Sequence, residues 1–199
     1  MGAILTAVLK EMGISLNSYL ATCLYTSLAT DTGCFKYANT NSEAHAIAAE
    51  LVRHIPNLHE VNYRLFMLKS RARMQLEARV VSEAHFHRQG KIAVAVVSQA
   101  MMKELGAGED DLDDIGTLMR CIEGVEVGVL MKETPNGRMK VSFRSAQHVN
   151  VSMIAQTFGG GGHRRASGCL MYGPAEEAER RIVEAVEQFY ARLEAGETL

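Results

Sequence analysis

The sequence has no CxxC pair, no surplus of basic charge and no long apolar run, and each absence removes a class of function. Its four cysteines, Cys23, Cys34, Cys121 and Cys169, are scattered, which argues against a zinc ribbon and against a disulfide framework. Basic residues number 21 against 23 acidic ones, a formal charge of −2. A protein that grips duplex DNA nonspecifically carries a basic surplus or a basic face, so any nucleic-acid contact is expected to be local and short. No stretch approaches the roughly 20 apolar residues of a membrane helix. The N-terminus lacks the charged start and cleavage site of a secretory leader, so no membrane partner is expected and the cytoplasm is the expected setting. Internal repeats and low-complexity tracts are missing too. What is present, 47% hydrophobic residues over 199 positions, suffices for one large or two small domains with a buried core.

Periodicity divides the chain into a helical front and an α+β rear. Ala3, Ile4, Ala7, Val8 and Met12 recur at helical spacing, and Gly13 is placed to close that helix. A second helix is expected from about Asn17 to Thr30. Thr40 with Glu43 reads as a capping box opening a third helix, with Ile47, Leu51 and Ile55 inward and Pro56 beyond its end. One long helix is expected from Leu58 to about Val80, basic along one face through Arg64, Lys69, Arg71, Arg73 and Arg79. Behind it, Ala84/Phe86 and Ile92/Val94/Val96 alternate around Gln89-Gly90 as in a β-hairpin. Ser98 caps a short helix ending near Gly106, and another short helix ends near Gly124. Strands over about 125–132 and 138–144 are joined by Pro135-Asn136-Gly137. A helix at about 149–157 leads into four glycines, a last strand covers 169–172, and an amphipathic helix runs from Pro174 with Ile182, Val186 and Phe189 inward.

The stretch Phe158–Gly168, FGGGGHRRASG, carries the most chemistry. Ordering four consecutive glycines is entropically costly, so a folded domain that keeps them has a reason. Close backbone approach is such a reason: without Cβ atoms, the N–H groups of Gly159, Gly160, Gly161 and Gly162 could turn together into a nest for phosphate oxygens. Positive φ is expected at Gly161, where a β-branched residue would then be barred. His163 and Arg164 stand at the edge of that nest, as donors to an anion. A flexible surface loop is the plainer alternative, but an apolar helix on one side and a strand on the other clamp the run. No GxxxxGK[ST] string occurs, which excludes a P-loop.

GGGGHRRASG resembles the hallmark of the DHHA1 domain, the C-terminal half of DHH-family phosphoesterases. Val141–Ser145, VSFRS, falls where that domain has a strand ending in Arg-Ser. Thr30–Tyr37, TDTGCFKY, is similar to the last metal-binding motif of the preceding DHH domain. Order and spacing resemble the bacterial nanoRNase and pAp-phosphatase branch across essentially the whole chain. The Asp-rich motifs and the Asp-His-His triplet of such proteins are absent: the only DD and DxxD strings lie within 110–114, and no HH occurs. The expectation is therefore a C-terminal portion whose N-terminal DHH domain is missing.

What the resemblance implies is an α/β protein. It comprises a helical remnant of a parallel-sheet DHH domain at 1–57, a linker helix at 58–80, and a DHHA1 α+β domain with a mixed or antiparallel sheet at 81–199. Asp31 would be a ligand to one of two Mn²⁺ ions, although the bare residue, without the resemblance, reads first as a turn aspartate capping the Thr32-Gly33 bend. The glycines, His163, Arg164, Arg144 and Ser145 would hold the terminal phosphate of a short RNA or of 3′-phosphoadenosine 5′-phosphate, with Arg120 a further lining residue. One carboxylate cannot hold two metals, so the chain alone is expected to be inactive. A cyclic dinucleotide phosphodiesterase fragment and a non-catalytic nucleic-acid-binding module are the alternatives, and a homodimer is a possible assembly. Three other signals are read as structural. The acidic cluster Glu109, Asp110, Asp111, Asp113 and Asp114 reads as caps and solvated surface. His85 and His87, on one strand face with no third ligand in sight, read as a solvent-facing pair, and the methionines read as core fillers.

Overall fold

The computed structural model describes residues 2–112 and 115–197, in two compact units, Met1–Lys69 and Ser70–Leu199. The first is helical: α1 (Gly2–Glu11), α2 (Ser18–Asp31), α3 (Ser42–Val52) and α4 (Leu58–Asn62). Its core gathers Ala21, Leu24, Tyr25, Leu28, Leu51 and Ile55. Asn17 caps α2, its side chain accepting from Leu20 N–H at 2.9 Å. The third helix starts one residue later than the capping box implies. Asn41 accepts from Ala44 N–H at 2.9 Å, while the Thr40 hydroxyl is buried without a partner. An asparagine carbonyl is as good an N-cap as threonine, and here it wins.

The single helix expected over 58–80 is broken. After α4 a π-helical turn spans Tyr63–Met67, Leu68 is extended, and α5 (Arg71–Ser82) starts afresh. Ser70 is the cause: its hydroxyl accepts from Arg73 N–H at 2.9 Å, the signature of a new N-terminus. Nor is the basic face free. Arg64 pairs with Glu60, Arg73 with Glu77, and Arg79 with Glu83 and Glu104.

The second unit is built on a six-stranded mixed sheet in the order β1-β2-β3-β4-β6-β5. The strands are β1 (His85–His87), β2 (Ile92–Val97), β3 (Val127–Glu133), β4 (Arg138–Ser145), β5 (Gly161–His163) and β6 (Ala166–Tyr172). β2 and β3 are parallel, connected through α6 (Gln99–Leu105) and α7 (Ile115–Arg120); all other neighbours are antiparallel. β2 is buried on both faces, so Ile92 and Val94 represent only half its apolar surface. Ala93, Ala95 and Val97 face the other way, into a core with Leu76, Met101 and Met119. A near-continuous apolar run is what a parallel interior strand requires. On the first face pack α8 (Val151–Gln156) and α9 (Ala175–Glu194), with Ile182, Val186 and Phe189 buried against Val129, Val141 and Phe143.

Local signals in this unit are read back directly. Ser98 caps α6 by accepting from Met101 N–H, and Gly106 closes it with φ +64°. In the acidic cluster, Asp111 accepts from Ser70 Oγ at 2.5 Å and from Gly108 N–H at 2.8 Å, and Glu109 pairs with Lys132. Asp113 and Asp114 lie outside the described residues. No helix among the described residues is long and apolar enough to cross a membrane.

Candidate functional site

The glycine run is divided between two tasks. Gly159 and Gly160 end α8: their N–H groups donate to the carbonyls of Gln156 and Ala155 at 3.0 and 2.9 Å, with Gly159 at φ +72°. Two of the amides expected in a phosphate nest are thus taken by the helix terminus, whose orphan carbonyls must be satisfied first. Gly161 and Gly162 belong to β5, an edge strand pairing with β6. What demands glycine is close packing of backbone on backbone. A Cβ on Gly160 would lie 2.2 Å from the Gly168 carbonyl oxygen, and one on Gly162, at φ +145°, would lie 2.6 Å from that of Ala166. Gly161 has open space around it and no positive φ, contrary to the expectation from sequence.

β5 and β6 form a hairpin closed by the pair His163–Ala166, with Arg164 and Arg165 at its tip. The tip is strapped down. Val151 N–H donates to the Arg164 carbonyl at 3.0 Å and Ser145 N–H to the Arg165 carbonyl at 3.2 Å. Ser152 Oγ donates to the Gly162 carbonyl at 3.0 Å, and the buried Ser167 Oγ donates to the Val151 carbonyl at 2.6 Å. The side chains of His163, Arg164 and Arg165 are exposed, and none has a hydrogen-bond or ion-pair partner among the described residues. The result is a rigid turn presenting uncommitted cationic and imidazole groups.

Register brings Arg144 to the same place. Gly128 pairs with Arg144, Arg144 with Ala166, and Ala166 with His163. Directly opposed residues share a face, so these four make one row across β3, β4, β6 and β5. Arg144 and His163 stand two strands apart, about 10 Å at backbone level, with only the Ala166 methyl between them. Arg144 is partly buried and its Nη1 donates to the Phe143 carbonyl at 2.9 Å. At the head of the row a Cβ on Gly128 would lie 2.7 Å from Arg120 N. The end of α7 therefore sits directly on the row, carrying Arg120, partly buried and without a side-chain partner among the described residues.

Ser145 does not join this row. Strand alternation turns it to the face of Phe143, where it is fully buried and its hydroxyl is unpartnered. Its contribution is the backbone N–H that holds the tip. Arg165, beside the expected Arg164, shares the exposed hairpin tip and so joins the candidate residues, as the two-residue spacing between His163 and Ala166 implies.

Asp31 lies in the first unit, as the exposed last residue of α2, with Asn39 Nδ2 donating to its carbonyl at 3.0 Å. After it come Gly33, Cys34 and Phe35 at φ +55°, +56° and +63°, a left-handed turn that few side chains tolerate. Among the described residues no three His, Cys, Asp or Glu side chains are grouped to hold a metal ion. Asp31 thus has a carboxylate suited to a hard cation but not the surrounding donors that a two-metal centre needs.

His85 is exposed and His87 partly so, as expected, but both also meet a carboxylate that the sequence did not point to. His85 Nδ1 lies 3.0 Å and His87 Nε2 2.8 Å from the carboxylate of Glu179 on α9, itself buried at 8% exposure. The trio clasps α9 to the edge of the sheet. Sequence could not reveal it, because Glu179 lies 92 residues beyond His87.

A mixed sheet with helices on both faces, presenting one row of arginine and imidazole beside a strapped basic turn, defines an α+β domain. Residues 89–192, more than half of the chain, match the DHHA1 domain, and the chain belongs to that family. It is 34% identical over 182 residues to the bifunctional oligoribonuclease and PAP phosphatase NrnA of Thermus thermophilus, covering 91% of this chain and 54% of the relative. Its identity to the Bacillus subtilis protein of the same description is 27% over 175 residues, covering 88% of this chain and 54% of that protein. The chain thus spans about half the length of the curated relatives it matches. A crystal structure of an exopolyphosphatase-related protein from Bacteroides fragilis has the same fold, with a TM-score of 0.89 at 24% identity over 97% of this chain and 57% of that one.

Proposed function

We propose that this chain is the nucleotide-gripping part of a metal-dependent phosphoesterase acting on short oligoribonucleotides or 3′-phosphoadenosine 5′-phosphate. The observation that carries the reading is the register row that aligns Arg144 with His163. A guanidinium offers a planar fork to a phosphate, and an imidazole across a bare methyl can donate to another of its oxygens. Arg164 and Arg165 on the rigid turn add charge close by, and Arg120 closes the far end. Binding energy there is available before any chemistry, because the turn is already strapped in place. The names borne by the two relatives fit this substrate class.

Hydrolysis needs more than the described residues bring together. Two Mn²⁺ ions would supply a bound hydroxide and hold the leaving oxygen. In this reading Asp31 contributes one donor, a DHH domain provides the remainder, and the chain alone binds nucleotide without turning it over. The cytoplasm is part of the same reading and suits four cysteines that are all free.

The test is calorimetric titration of the chain with 3′-phosphoadenosine 5′-phosphate and with adenosine. A hydrogen bond to a charged group contributes about 1.5–3 kcal/mol, roughly ten- to a hundredfold in affinity. Arg144→Ala and His163→Ala are each expected to weaken the bisphosphate by that factor while barely altering adenosine. Unchanged bisphosphate affinity in both variants would remove the row from the function.

A further inference from the structure

We infer that the trough beside the Arg144–His163 row is a subsite for a nucleobase. This rests on the phosphate-holding reading above and names what the rest of the ligand touches. The next register row along the same face is Ser142, Gly168 and Gly161, two residues, or about 7 Å, along the strands from Arg144, Ala166 and His163. Its floor is nearly all backbone. A Cβ on Gly168 would lie 2.8 Å from the Val141 carbonyl oxygen, so this position cannot be filled without parting β4 from β6. Bare peptide planes at the floor of a cleft offer a flat face to a planar ring.

The walls suit the same guest. The cleft over this floor measures about 520 Å³ and is bordered by Lys140, Leu170 and Phe158. Leu170 is an apolar side chain left 48% exposed on a strand, and it flanks the floor where a ring edge would rest. Lys140, paired with Leu170 in register, is exposed and has no side-chain partner among the described residues. Its ammonium can reach the acceptor atoms on the rim of a base. Among the described residues α7 packs chiefly on β2, β3 and β4, and a Cβ on Gly116 would lie 3.7 Å from Ser142 Cβ, so that helix borders the Ser142 end of the floor. A ligand whose phosphate sits on Arg144 and His163, over Ala166, can therefore run along the strands to set its base over Gly168.

The experiment compares adenosine 5′-monophosphate with ribose 5-phosphate, which differ by the base alone, titrated into the full chain and into Leu170→Ala and Lys140→Ala. Both substitutions are at exposed positions, and circular dichroism verifies that each variant is folded. The nucleotide is expected to bind wild type at least roughly tenfold tighter than ribose 5-phosphate, the scale of stacking one base. Leu170→Ala should shrink that ratio severalfold, and the Gly168 amide resonance should move with the nucleotide but not with the sugar phosphate. A ratio near one in wild type, or a ratio untouched by both variants, overturns the subsite. If ribose 5-phosphate affinity does not fall in Arg144→Ala, the phosphate reading fails first and takes the subsite with it.

Discussion

Gly162→Ala is the substitution that most directly distinguishes a structured glycine run from a flexible one. Gly162 sits at φ +145°, and an added methyl would meet the Ala166 carbonyl oxygen and Ser167 Cα at 2.6 Å each. A conformation that is nearly glycine-only costs about 1–3 kcal/mol for any other residue. Forcing a methyl against backbone that is hydrogen-bonded on its far side adds about 1–3 kcal/mol of overpacking. Together these remove on the order of 2–6 kcal/mol from a domain whose total stability is about 5–15 kcal/mol. The melting temperature should fall by roughly 10–20 °C, at a few degrees per kcal/mol. Gly161→Ala is the control one residue away, with no atom within 4 Å of the new methyl and no positive φ. It should be neutral, or more stable by about 0.4–1 kcal/mol through a less entropic unfolded chain. Thermal unfolding followed by far-ultraviolet circular dichroism measures both. Equal melting temperatures for the two variants would refute the edge-strand description and return the glycines to a mobile loop.

Two further outcomes are expected. Burial pushes the Cys169 thiol up to about 11, with Arg181 offsetting part of the effect, so at pH 8 about one molecule in a thousand carries the thiolate there. Native protein treated with a thiol-reactive disulfide should label exposed Cys23 and Cys121 quickly and Cys169 only on unfolding, and rapid labelling of Cys169 would contradict its burial. The Asp111 carboxyl is held below the usual carboxylate range by the Ser70 hydroxyl and then by Gly108 N–H. A depressed folded pKa contributes stability that is present above the unfolded value and lost as pH falls through the folded one. Asp111→Asn should therefore flatten the acid limb of a stability-versus-pH curve, and an unchanged limb would show that the cap carries no linkage.

Much of the fold was legible because its signals are local. Asn17, Ser98, Gly106 and Pro135-Asn136-Gly137 each determine their own neighbourhood within a few residues, and the helix, strand or turn follows. The break at Ser70 was missed because the apolar and basic residues on either side keep helical spacing through it, and only one hydroxyl marks the new start. The site was half legible. Residue types at Arg144 and His163 pointed to an anion, but their alignment depends on β4 lying next to β6 and β6 next to β5, a pairing no local pattern encodes. Ser145 was misassigned for the same reason, since facing direction is decided by register and not by adjacency to an arginine. The His85–Glu179–His87 clasp is nonlocal in the same way.

The hairpin that carries Arg164 and Arg165 imposes an arithmetic on changes of chain length. Its two-residue turn joins strands whose side chains alternate with a period of two, so one inserted or deleted residue would slip β5 against β6 by a single step. His163 would then point toward the face under α8, away from Arg144, while the strands could still pair. A two-residue change would restore the facing direction but displace the imidazole along the strand by a full pleat, out of the row with Arg144. Length variants of this turn should therefore separate by odd and even count: the odd ones keep a sheet and lose the grip, and the even ones keep a grip set to a different reach.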